Sequence, residues 1–184
     1  SFSDNRQDAS LQAGHFNDFV ETSVLRAALH SAVTSAGPDG IGSNDIATRV
    51  RDHLGFTSPD DYAAQKGLKD YGAGKQKQAL TDVIHHRIYR DLRRGWRVNA
   101  PNLEQTGQVQ VAYESLDEVC GDEVVWEQNT YLRNASPAER RKLASAFLDF
   151  LRRELIIDTP FLEWEKLSSI SNASINDLED QWRL

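Results

Sequence analysis

Residues 76–94 have the sequence QKQALTDVIHHRIYRDLRR, and large apolar side chains recur in this run at every fourth position: Leu80, Ile84, Ile88 and Leu92. A spacing of four places side chains on one face of an α-helix, because the helix has about 3.6 residues per turn. The run therefore predicts a central helix with an apolar core face, ended by Gly95.

Similar spacings precede this helix. Apolar residues recur at intervals of three and four over residues 6–35, which predicts a first helix. The turn Gly37-Pro38-Asp39-Gly40 is expected to end it. Ser43 and Ser58 can each cap a short helix, and residues 67–74 are expected to form a loop.

The C-terminal part begins with a strong helix signal. Ser136-Pro137-Ala138-Glu139 has the form of a capping box, in which the serine and glutamate side chains bind backbone N–H groups of the first turn. Residues 161–184 predict two further helical pieces. The core face expected on the capped helix consists of Leu143, Phe147, Leu151 and Leu155.

One segment predicts β structure. Residues 108–113 alternate strictly between polar and apolar side chains, as a half-buried strand does. Residues 96–98 would be the partner strand and residues 99–107 the loop between them. The predicted fold class is mainly α, a helical bundle with one small β-hairpin, and the order of helices and hairpin also fits a winged-helix-like module in the middle of the chain.

Composition narrows the class of protein. The chain has 184 residues, of which 39% are hydrophobic, so it can bury a core. Cys120 is the single cysteine, so it can form no internal disulfide, and we expect it to be a small core residue. The sequence shows no secretory signal and no apolar run of membrane length, so a cytoplasmic location without a membrane partner is expected.

The negative charge is concentrated at one end. The chain has a net charge of −7, and residues 114–184 alone hold fifteen acidic and eight basic side chains. Residues 1–113 are therefore balanced. A surface that binds phosphate is expected in the earlier part of the chain.

Two stretches resemble a known family. The N-terminal run Phe2-Ser3-Asp4-Asn5-Arg6-Gln7-Asp8-Ala9 resembles the F-S-D-x-R-Q-x-A stretch that opens the second RecA-like lobe of large bacterial superfamily 2 DNA helicases of the DEAD/DEAH-box type. A second stretch, Arg93 to Val98 continuing through residues 101–105, is similar to an insert in the same helicases, including those of phage defence and repair.

The resemblance implies that the chain is a fragment of an ATP-dependent DNA helicase or translocase. The absence of methionine, including at position 1, fits a fragment. DNA and the remaining helicase domains would be its partners. ATP and Mg²⁺ would bind elsewhere in the parent protein, because this sequence has no complete phosphate-binding loop and no arginine-finger motif. We expect no catalytic residue here and no ATP hydrolysis by this chain alone.

Three segments follow from the resemblance and the charge distribution. Residues 1–36 would be the incomplete opening of the second motor lobe. Residues 37–126 would be a helical insert with the hairpin, and residues 127–184 an acidic helical part.

The resemblance also implies a nucleic-acid contact near the N-terminus. The matching positions are Ser3, Asp4, Arg6 and Gln7, and Arg6 has the planar fork that binds phosphate oxygens in pairs. The alternative is that Asp4 caps the first helix and that Arg6 and Gln7 are solvated. The first helix is also expected to expose an apolar face, which could cause dimerisation of the isolated chain.

A basic stripe on the central helix is the second candidate for DNA binding. It consists of Arg87, Arg90, Arg94 and Arg97, at spacings of three, four and three. Such a stripe could follow a phosphate backbone if the helix continues past Gly95. The alternative is that these arginines pair with acidic neighbours such as Asp82 and Asp91, or with the acidic C-terminal part.

Other chemistry is weakly supported. His85 and His86 are adjacent, so they point to different helix faces, and we expect no metal site. The four tryptophans could stack on bases, but core or interdomain packing is the simpler expectation for each. The alternative function is a helical protein–protein interaction module with an acidic docking surface and no DNA contact.

Overall fold

A computed structural model describes the backbone of residues 2–93 and 101–184, and the side chains from Phe16 onward. These residues form seven α-helices, so the prediction of a mainly α fold is confirmed. Short 3₁₀ turns at Gly37–Asp39, Pro59–Asp61, Pro160–Leu162 and Asp180–Trp182 lie between or after them. The helices are α1 (Phe2–Ala36), α2 (Ile46–Asp52), α3 (Asp70–Asp91), α4 (Leu116–Gly121), α5 (Glu123–Trp126), α6 (Pro137–Arg153) and α7 (Trp164–Asp177).

The chain forms two compact units. Unit 1 comprises residues 1–88 and 159–184, and unit 2 comprises residues 89–158. Unit 2 is therefore inserted in sequence between the two parts of unit 1. The three functional segments expected from the sequence stay a prediction.

The core of unit 1 is formed mainly by one face of α1 and one face of α3. On α3, Leu80 and Ile84 are fully buried and Ile88 is 2% exposed, which confirms the predicted core face within this unit. The later part of α1 packs against α2 and buries a row of small and apolar side chains. This row is Leu25, Ala28, Leu29 and Ala32.

The C-terminal segment is part of the same core. Ile170, Leu178 and Trp182 are buried, and Leu178 forms an isolated antiparallel bridge with Ala63. The backbone N–H of Ala64 donates to the Asp177 carbonyl at 3.1 Å. The two ends of the sequence thus share one core.

Helix α3 begins earlier than the sequence predicts. The loop expected over residues 67–74 is wrong, because α3 starts at Asp70 and includes Gly72 and Gly74. A Cβ atom on Gly72 would lie 3.0 Å from Leu68 Cδ1, so this glycine permits close packing against Leu68. The helix ends at Asp91, three residues before the predicted end.

Helix α1 is continuous from Phe2. Asp4 therefore lies inside the first turn and not at the cap that the alternative expected. Beyond residue 15, the side that faces away from the core carries large exposed apolar residues, which confirms the expected apolar face. This α1 row consists of Phe16, Phe19, Val20 and Val24, with exposed fractions of 41–66%.

Helix α6 has the predicted cap but a different buried face. Ser136 and Glu139 form the capping box, with the Ser136 N–H donating to the Glu139 carboxylate at 2.8 Å. The predicted core face is wrong, because Leu143 and Phe147 are more than half exposed and Leu151 and Leu155 are only half-buried. Arg140 and Arg152 are buried in their place.

The predicted β-hairpin is unconfirmed, and so is the predicted winged-helix-like module. Residues 108–113 form no strand, and the backbone N–H groups of Gln108 and Val109 both donate to the Leu103 carbonyl, at 2.8 and 3.2 Å. These donors are therefore used within a local turn. The predicted partner strand, residues 96–98, lies outside the described residues.

Candidate nucleic-acid interface

The four N-terminal candidates share the start of α1. Ser3, Asp4, Arg6 and Gln7 lie in its first two turns, and their side chains are outside the described ones. The same helix continues without a break to Leu25 and Leu29 in the core. Their contact with phosphate stays a prediction.

Arg87 is engaged inside unit 1. Its guanidinium donates to the carbonyl oxygens of Gln181 and Arg183, at 2.9 and 3.2 Å. It also lies 3.4 Å from the Glu21 carboxylate and 5.3 Å from the centre of the Trp182 ring. Burial lowers the pKa of Arg87, while Glu21 and then Asp18 oppose this change. The side chain thus joins α1, α3 and the C-terminal segment.

Asp82 has a different partner from the one that the basic stripe suggests. Its carboxylate accepts from Lys166 Nζ at 2.8 Å and from Gln78 Nε2 at 2.7 Å. Glu21, which the sequence pattern does not single out, is the acidic partner of Arg87. Lys166 and Glu21 lie on other helices, so spacing along α3 does not reveal these two ion pairs.

Positive charge is crowded at the end of α3. Arg90 is half-buried and Arg93 is exposed. Burial lowers the pKa of Arg90, and the positive charge of Arg93 lowers it further. Arg94 and Arg97 follow in the sequence and lie outside the described residues.

A buried asparagine closes the segment that carries these arginines. Asn102 is 3% exposed, and its Nδ2 donates to the Asp91 carbonyl at 2.7 Å. Its Oδ1 accepts from the Gln105 N–H at 2.9 Å, and Gln105 Oε1 accepts from the Asn102 N–H at the same distance. Asn102 thus ties the end of α3 to the returning chain. We refer to residues 92–101, of which 94–100 lie outside the described residues, as the basic loop, a name for the stretch of sequence between these two anchors.

Glu104, two residues after Asn102, attaches this part of the chain to α6. Its two carboxylate oxygens accept from the Arg152 guanidinium at 2.5 and 3.0 Å, and one also accepts from Arg153 at 3.0 Å. Asp149 lies 3.1 Å from Arg152 and accepts from the Tyr113 hydroxyl at 2.8 Å. A bidentate pair with further hydrogen bonds can keep an arginine buried.

These contacts shift the titration of the two carboxylates. Burial acts to raise the pKa of Glu104, but hydrogen bonds from Arg152 and Arg153 outweigh it, and the pKa is lowered. For Asp149 burial again acts upward, and the bonds from Tyr113 and Arg152 leave the pKa lowered. Both groups are therefore more readily ionised in the folded unit than in the unfolded chain.

Residues 101–105 therefore have structural roles within unit 2. Within residues 101–105, Asn102 holds the end of α3 and Glu104 holds α6. Sequence reasoning missed both roles. The partner of Glu104 is 48 residues away, and a local pattern carries no signal for such a contact.

Unit 2 also carries an acidic segment, residues 114–127. It has six carboxylates and no lysine or arginine, and all six acidic residues are exposed. Glu123 forms the bidentate partner of buried Arg140, at 2.8 and 3.0 Å. Val119, Val124 and Val125 are exposed on the same segment.

The histidine pair has internal contacts. His86 Nδ1 lies 3.0 Å from the Phe161 carbonyl oxygen, and the His85 ring stacks on the Phe161 ring with centres 3.9 Å apart. Burial lowers the pKa of His85. Among the described residues, no group of three or more His, Cys, Asp or Glu side chains could hold a metal ion.

The remaining candidates divide between core and surface. Cys120 is 1% exposed, which confirms it as a core residue. Trp182 is buried, whereas Trp164 is 84% exposed, so core packing is wrong for Trp164 and its packing against another domain stays a prediction. Trp96 lies outside the described residues.

Comparison with protein-family models, curated proteins and solved structures finds no significant match. Along the part of the chain that the structure describes, no helix combines the length and apolarity needed to cross a bilayer. Inference about function therefore depends on the residues themselves.

Proposed function

We propose that this chain is a segment of an ATP-dependent DNA helicase or translocase of the superfamily 2 kind, and that it guides DNA with the basic loop. ATP and Mg²⁺ would bind elsewhere in the parent protein. The observation that carries the proposal is the buried hydrogen bond from Asn102 to the Asp91 carbonyl, which closes the base of this loop.

The composition of the loop suits nucleic acid. It contains Arg93, Arg94 and Arg97, and it follows Arg90 at the end of α3. Arginine binds phosphate through its planar fork, and Trp96 supplies a ring on which a base can stack. A closed base reduces the ordering that the loop must undergo on binding, which favours affinity.

Helix α1 supports the view that the chain is one part of a larger motor. Its later turns are buried in unit 1, while the α1 row on the opposite side is exposed next to the helicase-like stretch. An uncovered row of large apolar residues is a packing site for another part of a protein. In this proposal the remainder of the second motor lobe covers it, and α1 transmits movement between that lobe and unit 1.

The test is fluorescence anisotropy with labelled single- and double-stranded DNA over a salt series. A variant with Arg93→Ala, Arg94→Ala and Arg97→Ala should bind far more weakly than wild type. Because each phosphate contact contributes about 0.7 to the logarithmic salt slope on single strands, the slope should fall by roughly two. Arg87 is left unchanged, since its loss would disturb the fold.

The matched control removes three exposed charges from unit 1, with Arg49→Ala, Lys69→Ala and Lys77→Ala. It should retain most of the affinity. If the wild-type chain shows no binding at low salt, or if the control loses as much affinity as the loop variant, DNA guidance by this loop is wrong.

The second candidate is a protein-interaction module without DNA contact. It is favoured by the acidic segment, whose six exposed carboxylates lie beside exposed Val124 and Val125. Such a surface repels phosphate and suits a basic partner with apolar side chains. A chain that does not bind DNA at low salt in the anisotropy assay would support this candidate.

A further inference from the structure

Helix α6 carries an apolar row on its exposed side. Leu143, Phe147 and Phe150 are 53–59% exposed, and Ala146 beside them is also exposed. Intervals of three and four place these residues along one side of a helix. We refer to them as the α6 row.

The opposite side of α6 is already occupied. Arg152 is buried on it and held by Glu104, and Ser145 and Leu148 are half-buried there. Arg140, one turn before Leu143, is buried against Glu123. Helix α4 packs against α6 as well. The α6 row is therefore not the face that this helix uses within unit 2.

Opposite charges stand at the two ends of the row. Lys142 precedes it and Glu154 follows Phe150 by one turn, and both are exposed. Neither side chain has a hydrogen-bond or ion-pair partner among the described residues. Between them, Arg153 is paired with Glu104 and is thus neutralised.

We propose that α6 of one chain pairs with α6 of a second copy in an antiparallel arrangement through this row. When two such rows cross between Phe147 and Phe150, Lys142 of each copy comes near Glu154 of the other. A two-fold interface needs a surface that complements itself, and a row with a cation at one end and an anion at the other does so only in the antiparallel sense.

The opposite charges of Lys142 and Glu154 favour a second copy of this chain over other partners for the α6 row. A strongly acidic or basic partner would be matched by flanks of a single sign, whereas here the flanks have opposite signs. A single helix pair lies at the low end of interface size. The dimer is consequently concentration-dependent and exchanges with monomer.

The test is sedimentation equilibrium of the full chain over a range of concentrations. Phe147→Ser together with Phe150→Ser should weaken association by about a hundredfold or more, as expected for central aromatic anchors. Since both residues are exposed, circular dichroism should show an unchanged fold. The matched control, Phe16→Ser with Phe19→Ser in the α1 row, should leave the α6 dimer intact.

A charge exchange tests the orientation. Lys142→Glu alone and Glu154→Lys alone should each weaken the dimer roughly tenfold, because each creates two like-charge contacts. The double variant should recover wild-type association. In a parallel pair Lys142 of one chain would lie opposite Lys142 of the other. Exchanging the two charges would then not restore wild-type association.

A chain that stays monomeric at high concentration would overturn the proposal, and another part of the parent protein would then be the partner of this face. Association that is lost in the α1 control but kept in the α6 variant would overturn it too. So would failure of the charge exchange to restore the dimer.

Discussion

Arg87 joins three parts of unit 1 through one guanidinium. It donates to two carbonyl oxygens of the C-terminal segment, lies over Trp182 and faces Glu21 of α1. We predict that Arg87→Met lowers the free energy of unfolding by about 1–2 kcal/mol, because two carbonyl oxygens and a partly exposed carboxylate lose their partner.

Chemical denaturation measures this change. Arg93→Met is the control, since Arg93 is exposed, and it should alter stability by less than about 0.5 kcal/mol. Equal effects of the two substitutions would show that Arg87 does not hold unit 1 together.

Two serines at helix starts should respond in opposite ways. Ser115 precedes α4 with φ of 55° and caps no N–H, whereas Ser136 precedes α6 with extended backbone and accepts from the Glu139 N–H. We predict that Ser115→Gly raises the free energy of unfolding by about 0.5–1 kcal/mol, because glycine tolerates positive φ. Ser136→Ala should lower it by about 1 kcal/mol.

Thermal or urea unfolding of wild type and of the two variants measures these changes in unfolding free energy. A loss of stability in Ser115→Gly would mean that the serine side chain contributes more than its backbone conformation costs.

Residues that act locally were predictable from the sequence, and residues that act over distance were not. The capping box at Ser136 and Glu139 follows from a four-residue pattern. The burial of Arg140 and Arg152 depends on Glu123 and Glu104, which are 17 and 48 residues away. A buried arginine is stable only with such partners, so spacing alone assigned the wrong core face to α6.

At the scale of elements, Glu104 and Asp149 should make the attachment of the segment around Glu104 to α6 sensitive to acid. The pKa of each carboxyl is lowered in the folded state. A lowered pKa means that the folded unit binds fewer protons than the unfolded chain, so the stabilisation is present above the ordinary value and is lost as pH falls through the folded value.

We therefore predict that the difference in unfolding free energy between wild type and Glu104→Gln is largest above the ordinary carboxyl value of 4.5 and closes as the pH falls below it. Urea unfolding at a series of pH values measures this difference. Exposed Glu118→Gln is the control and should differ little from wild type throughout. A gap that stays constant down to low pH would exclude an ionic attachment.

Helix positions were more predictable than helix limits. The apolar spacing placed α3 correctly, but the glycines in residues 67–74 concealed its first turn. Gly72 lies inside the helix, where its lack of a side chain permits close packing against Leu68. In residues 108–113 the alternation predicted a strand, while the backbone donors of Gln108 and Val109 turn back to Leu103. Neither outcome is encoded in local hydrophobic spacing.

At the scale of the whole molecule, unit 1 is built from both ends of the sequence. Ile170, Leu178 and Trp182 are buried in its core. Removing residues 159–184 would expose the apolar side chains that they cover. We predict that a chain ending at Asp158 loses the cooperative thermal unfolding of unit 1.

Circular dichroism and calorimetry would follow this transition. Trp164→Ala is the control from the same segment, since Trp164 is 84% exposed, and it should leave the transition nearly unchanged. A truncated chain that still unfolds cooperatively in all its helices would show that residues 1–88 fold without the C-terminal segment.

The central claim is that a closed, basic loop guides DNA, and Asn102→Ala tests it most directly. We would measure the dissociation constant of wild type and of this variant for a labelled single strand at two salt concentrations. The account predicts salt-sensitive binding by wild type and several-fold weaker binding by Asn102→Ala with a similar salt slope, because the same arginines remain on a loop that is no longer held. Equal affinities, or no binding by wild type at low salt, would contradict it.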